Sequence, residues 1–166
     1  MKISLQPPLS LHEIGQRENN EDQIYPAVGS TVQFGHRQVY LVCDGVGGLD
    51  KGEIASNLTC DSIAAYLSQK ETISDSVIEE SIAHAETNIN KYVANHKEAN
   101  GMATTMTLLV IDEQGIAIAH IGDSRVYQIR GGKIIHKTFD HSFVNELIAQ
   151  KIITEKEALT LSLIHI

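Results

Sequence analysis

The sequence predicts an α+β domain in which hairpin-forming strands and segregated helices pack in layers. Three observations carry this expectation. Compact apolar runs of strand length stand on both sides of a central helical region. Within that region apolar residues recur at three- and four-residue spacing. The later apolar runs are joined through short turn sequences of the kind hairpins use. The chain has 166 residues, a single-domain length on a prior of roughly 100–200 residues per domain, and a chain of this size buries about two thirds of its unfolded surface.

Taken in order, Gln38–Cys43 is an apolar run ending at Asp44 and reads as a buried strand. Gly45, Gly47 and Gly48 turn the chain toward a helix over Glu53–Gln69, with Ile54, Leu58 and Ala65 expected on its buried face. Ser74–Asn95 reads as a second helix, because Ile78, Ile82, Ala85, Ile89 and Tyr92 follow 4, 3, 4, 3 spacing. Ser76 and Glu79 offer a capping box at its start. Thr105–Ile111 and Ile116–Ile121 are strands joined through Asp112-Glu113-Gln114-Gly115. Arg125–Arg130 and Lys133–Lys137 flank Gly131-Gly132, a two-residue hairpin turn. Ser142–Gln150 returns to helical spacing, and Thr154 is placed to cap a last helix with Glu155 and Glu157 in its first turn.

Composition narrows the function. The apolar fraction is 42%, the charged fraction 20% and the formal net charge −8, which suits a globular domain rather than a disordered one. An acidic chain without a basic stripe is a poor partner for nucleic acid, whose affinity rests on phosphate neutralisation. No apolar run approaches the roughly 18–20 residues that span a bilayer, and Met1–Ser10 lacks a signal-peptide pattern. Cys43 and Cys60 have no C-x-x-C spacing and read as two reduced, buried thiols, in keeping with a cytoplasmic location.

The acidic residues that matter sit at strand ends and in loops. Four segments stand out: Arg17-Glu18-Asn19-Asn20-Glu21-Asp22, Asp44-Gly45-Val46-Gly47-Gly48, Gly101-Met102-Ala103-Thr104-Thr105 and Gly122-Asp123-Ser124-Arg125. A carboxylate at the end of a buried strand, followed by glycines, lets backbone carbonyls approach a cation closely. Hard divalent cations take such oxygen ligands, and Glu21, Asp22, Asp44 and Asp123 supply them if the fold brings them together. Each segment alone has a plainer reading: Asp before Gly as a turn, Glu21-Asp22 as a solvated loop, Arg17 as a surface charge. No Walker-type phosphate loop, H-E-x-x-H zinc motif or G-x-S-x-G elbow is present.

In this order the four segments, with Thr138-x-Asp140-His141-Ser142 after them, resemble the metal-dependent type 2C protein phosphatases, and the bacterial branch most closely. The resemblance runs from about Leu11 to Leu159. It implies a sandwich of two antiparallel sheets flanked by helices, with a site for two Mn²⁺ or Mg²⁺ ions at one end. It implies that Asp44 bridges both ions, that Glu21 and the Gly45 carbonyl bind one, and that Asp22 holds waters around them. Asp123 matches the position of a third, weaker ion, and Arg17 that of a clamp on the substrate phosphate. The implied activity is hydrolysis of phosphoserine and phosphothreonine in proteins, opposing a serine/threonine kinase.

Three departures accompany the match. Val46 stands where eukaryotic members often carry a histidine, so no proton donor is available there. Lys151 stands where the family often has glycine. The family's C-terminal Ser-Asp-Gly and Asp-Asn motifs are not found. Residues 1–160 are therefore expected to be the N-terminal part of the catalytic domain, lacking its C-terminal strands, and incompletely equipped for turnover alone. Leu161-Ser162-Leu163-Ile164-His165-Ile166 can be encoded by the transposon end used in sequencing libraries and is expected to be a non-native tail. The alternative functional expectation is a non-catalytic phosphoprotein-binding or regulatory module.

Overall fold

The structure is a computed structural model and describes residues 6–30, 33–34, 37–46, 51–154 and 157. Gly47, Gly48, Glu155 and the 161–166 tail lie outside the described residues. The elements are β1 (Asp22–Tyr25), β2 (Gln33–Phe34), β3 (Arg37–Asp44), α1 (Gly52–Ser68), α2 (Asp75–Asn95), β4 (Met106–Ile111), β5 (Ile116–Ile121), β6 (Tyr127–Arg130), β7 (Lys133–Lys137) and α3 (Phe143–Ala149), with a 3₁₀ turn at Lys97–Ala99. The larger sheet is antiparallel, in the order β1-β3-β4-β5, with β2 added beside β3; β6 and β7 form a second antiparallel sheet. The expected α+β class holds.

Strand β3 is the axis of the molecule. Alternation sends Val39, Leu41 and Cys43 to the helix side, where each is at most 1% exposed. They pack with Met106, Leu108 and Val110 of β4 against Cys60, Ile63 and Leu67 of α1 and Ile78 and Ala85 of α2. Full burial of one such aliphatic side chain is worth about 1.5–3 kcal/mol. Cys43 and Cys60 are both free and buried; contact with Cys43, then burial, pushes the Cys60 thiol far above its ordinary value, which keeps it unreactive.

Three local readings need correction. Ala65 of α1 is exposed, because the helix buries two other faces: one on the sheet, and one carrying Ala55, Ile54 and Leu58 against Ala99, Met102 and Tyr92. The cap of α2 is Ser74, not Ser76. Ser74 has extended backbone and accepts from Val77 N, whereas Ser76 is already helical and bonds the Ser74 hydroxyl at 2.9 Å. Strand β1 was not anticipated: four residues carry too little periodicity, and its place comes from pairing with β3, Asp22 opposite Asp44.

The turns follow their sequences. Asp112 Oδ1 accepts from the Gln114 and Gly115 amides at 2.8 and 3.1 Å, closing the β4–β5 hairpin. Gly131 and Gly132 have φ of 57° and 74°, the pair of left-handed residues a type I′ turn requires. Lys151 also has a left-handed φ, 59°, with its amide donating to the Ile148 carbonyl at 2.9 Å. It ends α3 in the geometry glycine favours, so the lysine keeps the left-handed backbone that a glycine would adopt without strain. Thr154 and Glu157 exchange hydrogen bonds as a capping box.

Candidate active site

At the end of β3 the core alternation turns a carboxylate toward solvent. Asp44 stands opposite Asp22 in the β1–β3 register, which puts both side chains on one face. The chain then continues past Gly45, whose amide donates to the Glu21 carbonyl at 3.0 Å, and Val46, whose amide donates to the Ala103 carbonyl at 2.9 Å. These two bonds join the 17–22 segment, the β3 end and the 101–105 segment at one point. Asn20 Oδ1 accepts from the Asp22 amide at 3.1 Å, and the His12 ring meets the Asp22 carbonyl at 3.0 Å.

The resulting pocket has a volume of about 580 Å³ and is bordered by Arg17, Glu21, Asp22, Asp44, Gly45 and Asp123, together with Val46 and Thr105. Every candidate residue read from the sequence therefore faces one cavity. Glu21 lies against the start of α1: a Cβ on Gly52 would sit 3.2 Å from its Oε1, so the carboxylate meets the positive end of the helix. Arg17 reaches back to Glu21 with 3.9 Å between Nη1 and Oε2, its side chain 75% exposed. So open a pair holds little energy and leaves the guanidinium available to a ligand.

The electrostatics point the same way. Asp44 is exposed at its outer edge, yet its carboxyl is pushed above the ordinary value by partial burial first, then by the charge and hydrogen bond of Asp22 and the charge of Asp123; Arg17 opposes this. Like charges gathered without a neutralising partner disfavour ionisation, and a bound cation reverses that cost. Among the described residues no three His, Cys, Asp or Glu side chains stand at mutual ligand spacing. The carboxylates line the pocket rather than closing a cage, which suits a hard cation that retains several waters. The donor set fits Mn²⁺ or Mg²⁺.

A second cluster braces the Asp123 turn. Arg125 grips Asp140 through two parallel bonds, Nε to Oδ1 and Nη2 to Oδ2, both 2.5 Å. The His141 amide donates to the Gly122 carbonyl at 2.8 Å, and the His120 ring meets the Phe139 carbonyl at 2.7 Å. The hydrogen bond from Arg125, before other causes, holds the Asp140 carboxyl below its ordinary value. A depressed carboxylate stabilises the fold above its unfolded pKa of about 3.9 and loses that contribution as pH falls through the lower folded value. Arg125→Ala is therefore expected to have a lower Tm than the parent at neutral pH. The gap should close on acidification below about pH 4; thermal scans across pH check this, and a gap constant down to pH 2.5 contradicts it.

Thr105 was within a segment singled out by sequence, but no role attached to it, because its partners are distant in the chain. Its Oγ1 accepts from the Asp44 amide at 3.1 Å and meets Ser124 Oγ at 2.7 Å. The histidines of α2 have local partners: His84 tilts against Tyr66, and His96 stacks on Tyr92 at 4.1 Å.

Residues 12–160 match the family model described as protein phosphatase 2C. Protein phosphatase PhpP of Streptococcus pneumoniae is 34% identical over 164 residues, covering 95% of this chain and 62% of the relative. The crystal structure of serine/threonine phosphatase Stp1 from Staphylococcus aureus superposes with a TM-score of 0.72 at 30% identity, covering 95% of this chain and 63% of that one. The catalytic domain of PstP, solved in complex with two manganese ions, matches with a TM-score of 0.65 at 30% identity, covering 86% and 58%. The chain thus spans 62% of PhpP and 58–63% of the two solved chains.

Proposed function

The chain belongs to the protein phosphatase 2C family, and on that premise we propose that the protein containing it hydrolyses phosphoserine and phosphothreonine in phosphoproteins. The observation that carries this reading is the convergence of Arg17, Glu21, Asp22, Asp44 and Asp123 on one acidic pocket. Glu21, Asp44 and the Gly45 carbonyl are the groups that would hold a pair of Mn²⁺ or Mg²⁺ ions, with Asp22 steadying their waters and Asp123 serving a third. When bound, such a pair supplies Lewis-acid charge and a water activated for in-line attack on phosphorus.

The chain's own residues do the rest. Arg17 presents a planar guanidinium at the rim, suited to two oxygens of a phosphate in a way lysine is not. Its weak tie to Glu21 is readily exchanged for a phosphate. Val46 borders the pocket and offers no proton, so protonation of the leaving group would fall to another group. Two free buried thiols fit a reducing, cytoplasmic setting; among the described residues no helix is long and apolar enough to cross a membrane. Phosphoproteins modified by a serine/threonine kinase are the natural substrates on this reading.

The test is phosphate release from a phosphothreonine peptide by the natural gene product. It is expected to require Mn²⁺ or Mg²⁺ and to stop with chelator. Arg17→Ala should raise KM about tenfold or more, the loss of one charge-assisted contact of about 1.5–3 kcal/mol, with Mn²⁺ affinity nearly unchanged. Turnover unaffected by chelator would contradict the reading.

A further inference from the structure

Thr105 occupies an unusual place in the β3–β4 ladder. Its amide donates to the Asp44 carbonyl at 2.8 Å, as an antiparallel hydrogen-bonded pair requires. The reciprocal bond, from the Asp44 amide, goes to the Thr105 hydroxyl rather than its carbonyl. The carbonyl instead accepts from Thr104 Oγ1 at 2.9 Å. Two residues further along, Thr107 behaves differently: its hydroxyl donates to the Val42 carbonyl at 3.2 Å. Thr138 makes the same substitution opposite Val126, beside β6 and β7; at the end of β3 the substituted pair is the one that delivers Asp44 to the pocket.

The same hydroxyl is held from the other side by Ser124, at 2.7 Å, and Ser124 adjoins Asp123. The Thr105 methyl packs on Gly122: a Cβ there would come within 2.8 Å of Cγ2. Thr105 is 8% exposed and borders the pocket, so water does not replace these contacts freely. A buried hydroxyl with two partners fixes both. We propose that Thr105, oriented by Ser124, is a positioning residue that sets the β3 end and the 122–125 turn together, so that Asp44 and Asp123 face one cation pocket in fixed relation. The proposal rests on the cation-binding reading above and adds to it the residue pair that builds the geometry.

The experiment uses the purified natural gene product and three variants, with Mn²⁺ binding followed by EPR well below each Tm. Thr105→Val keeps the methyl that packs on Gly122 and loses the hydroxyl. It is expected to weaken Mn²⁺ binding about 10-fold or more, the usual loss when an outer partner of a metal ligand is removed. Thr105→Ser keeps the hydroxyl and loses the methyl; it should bind Mn²⁺ within about threefold of the parent, well short of an outer-partner loss, while having the lower Tm. Ser124→Ala should fall between Val and Ser in affinity. A merely structural Thr105 predicts affinity that tracks Tm, and parental affinity in folded Thr105→Val overturns the proposal. If the parent gene product itself binds no Mn²⁺, the cation reading fails, and amide NMR decides the positioning claim. Shifted Asp44 and Asp123 amides with faster exchange at Asp44 in Thr105→Val sustain it; unchanged spectra overturn it.

Discussion

If the proposed function holds, Asp44→Asn in the natural gene product is expected to abolish Mn²⁺-dependent phosphate release while making the metal-free protein slightly more heat-stable. The loss should be at least about 100-fold, the upper end of what removing even an outer partner of a metal ligand costs, because Asp44 is the carboxylate that feels both Asp22 and Asp123. The gain follows from its environment. A carboxyl whose folded pKa lies above its unfolded one binds a proton more tightly in the folded state. Its charged form therefore opposes folding at neutral pH, and that penalty is relieved only as pH falls through the raised value toward about 3.9. Asparagine keeps the shape and removes a charge that partial burial first, and then Asp22 and Asp123, disfavour. Solvent screening at this exposed strand end limits the effect to a Tm rise of about 1–2 °C. Peptide-phosphate assays and calorimetry with chelator check both halves; a lower Tm for Asp44→Asn would refute the account of Asp44 as a carboxylate disfavoured by burial and its like-charged neighbours.

The second large effect is steric. At Gly45 an added Cβ would run into the Gly52 carbonyl, 2.5 Å from its carbon and 2.7 Å from the Glu21 carbonyl oxygen. All are backbone atoms and cannot swing aside. Gly45→Ala must separate the start of α1 from the β1–β3 edge, moving Glu21 away from Asp44. Overpacking of this kind costs about 1–3 kcal/mol, occasionally more, so the Tm should drop by about 4–10 °C with Mn²⁺ affinity lost alongside. Gly29→Ala is the control: its Cβ would meet nothing within 4 Å, and only the left-handed φ of 76° costs about 1–2 kcal/mol, with the pocket untouched. Mn²⁺ affinity lost equally at the two positions, or retained at both, would remove the steric argument.

Much of this was legible in the sequence, for reasons that differ by residue. The run ending at Asp44 and the spacing of Ile78, Ile82 and Ala85 are local patterns that burial enforces, so strand β3 and helix α2 could be read directly. Arg17, Glu21, Asp22, Asp44 and Asp123 could be named from motif order, and their shared pocket follows from β1 and the 122–125 turn reaching the same end of β3. What could not be read depends on contacts between distant residues. Ala65 fails because α1 serves two neighbours instead of one. Thr105 and Ser124 lie 19 residues apart, and Thr105 and Asp44 lie 61 apart, so no periodicity announces their union.

The alternation along β3 also constrains how this gene can change in length. Because Val39, Leu41 and Cys43 face the core while Asp44 faces the pocket, inserting one codon within the strand would exchange the two faces. Asp44 would enter the helix-side core and Cys43 the acidic cluster. Viable insertions and deletions therefore belong in turns such as 112–115 and 131–132, where added residues loop outward and leave the paired strands in step.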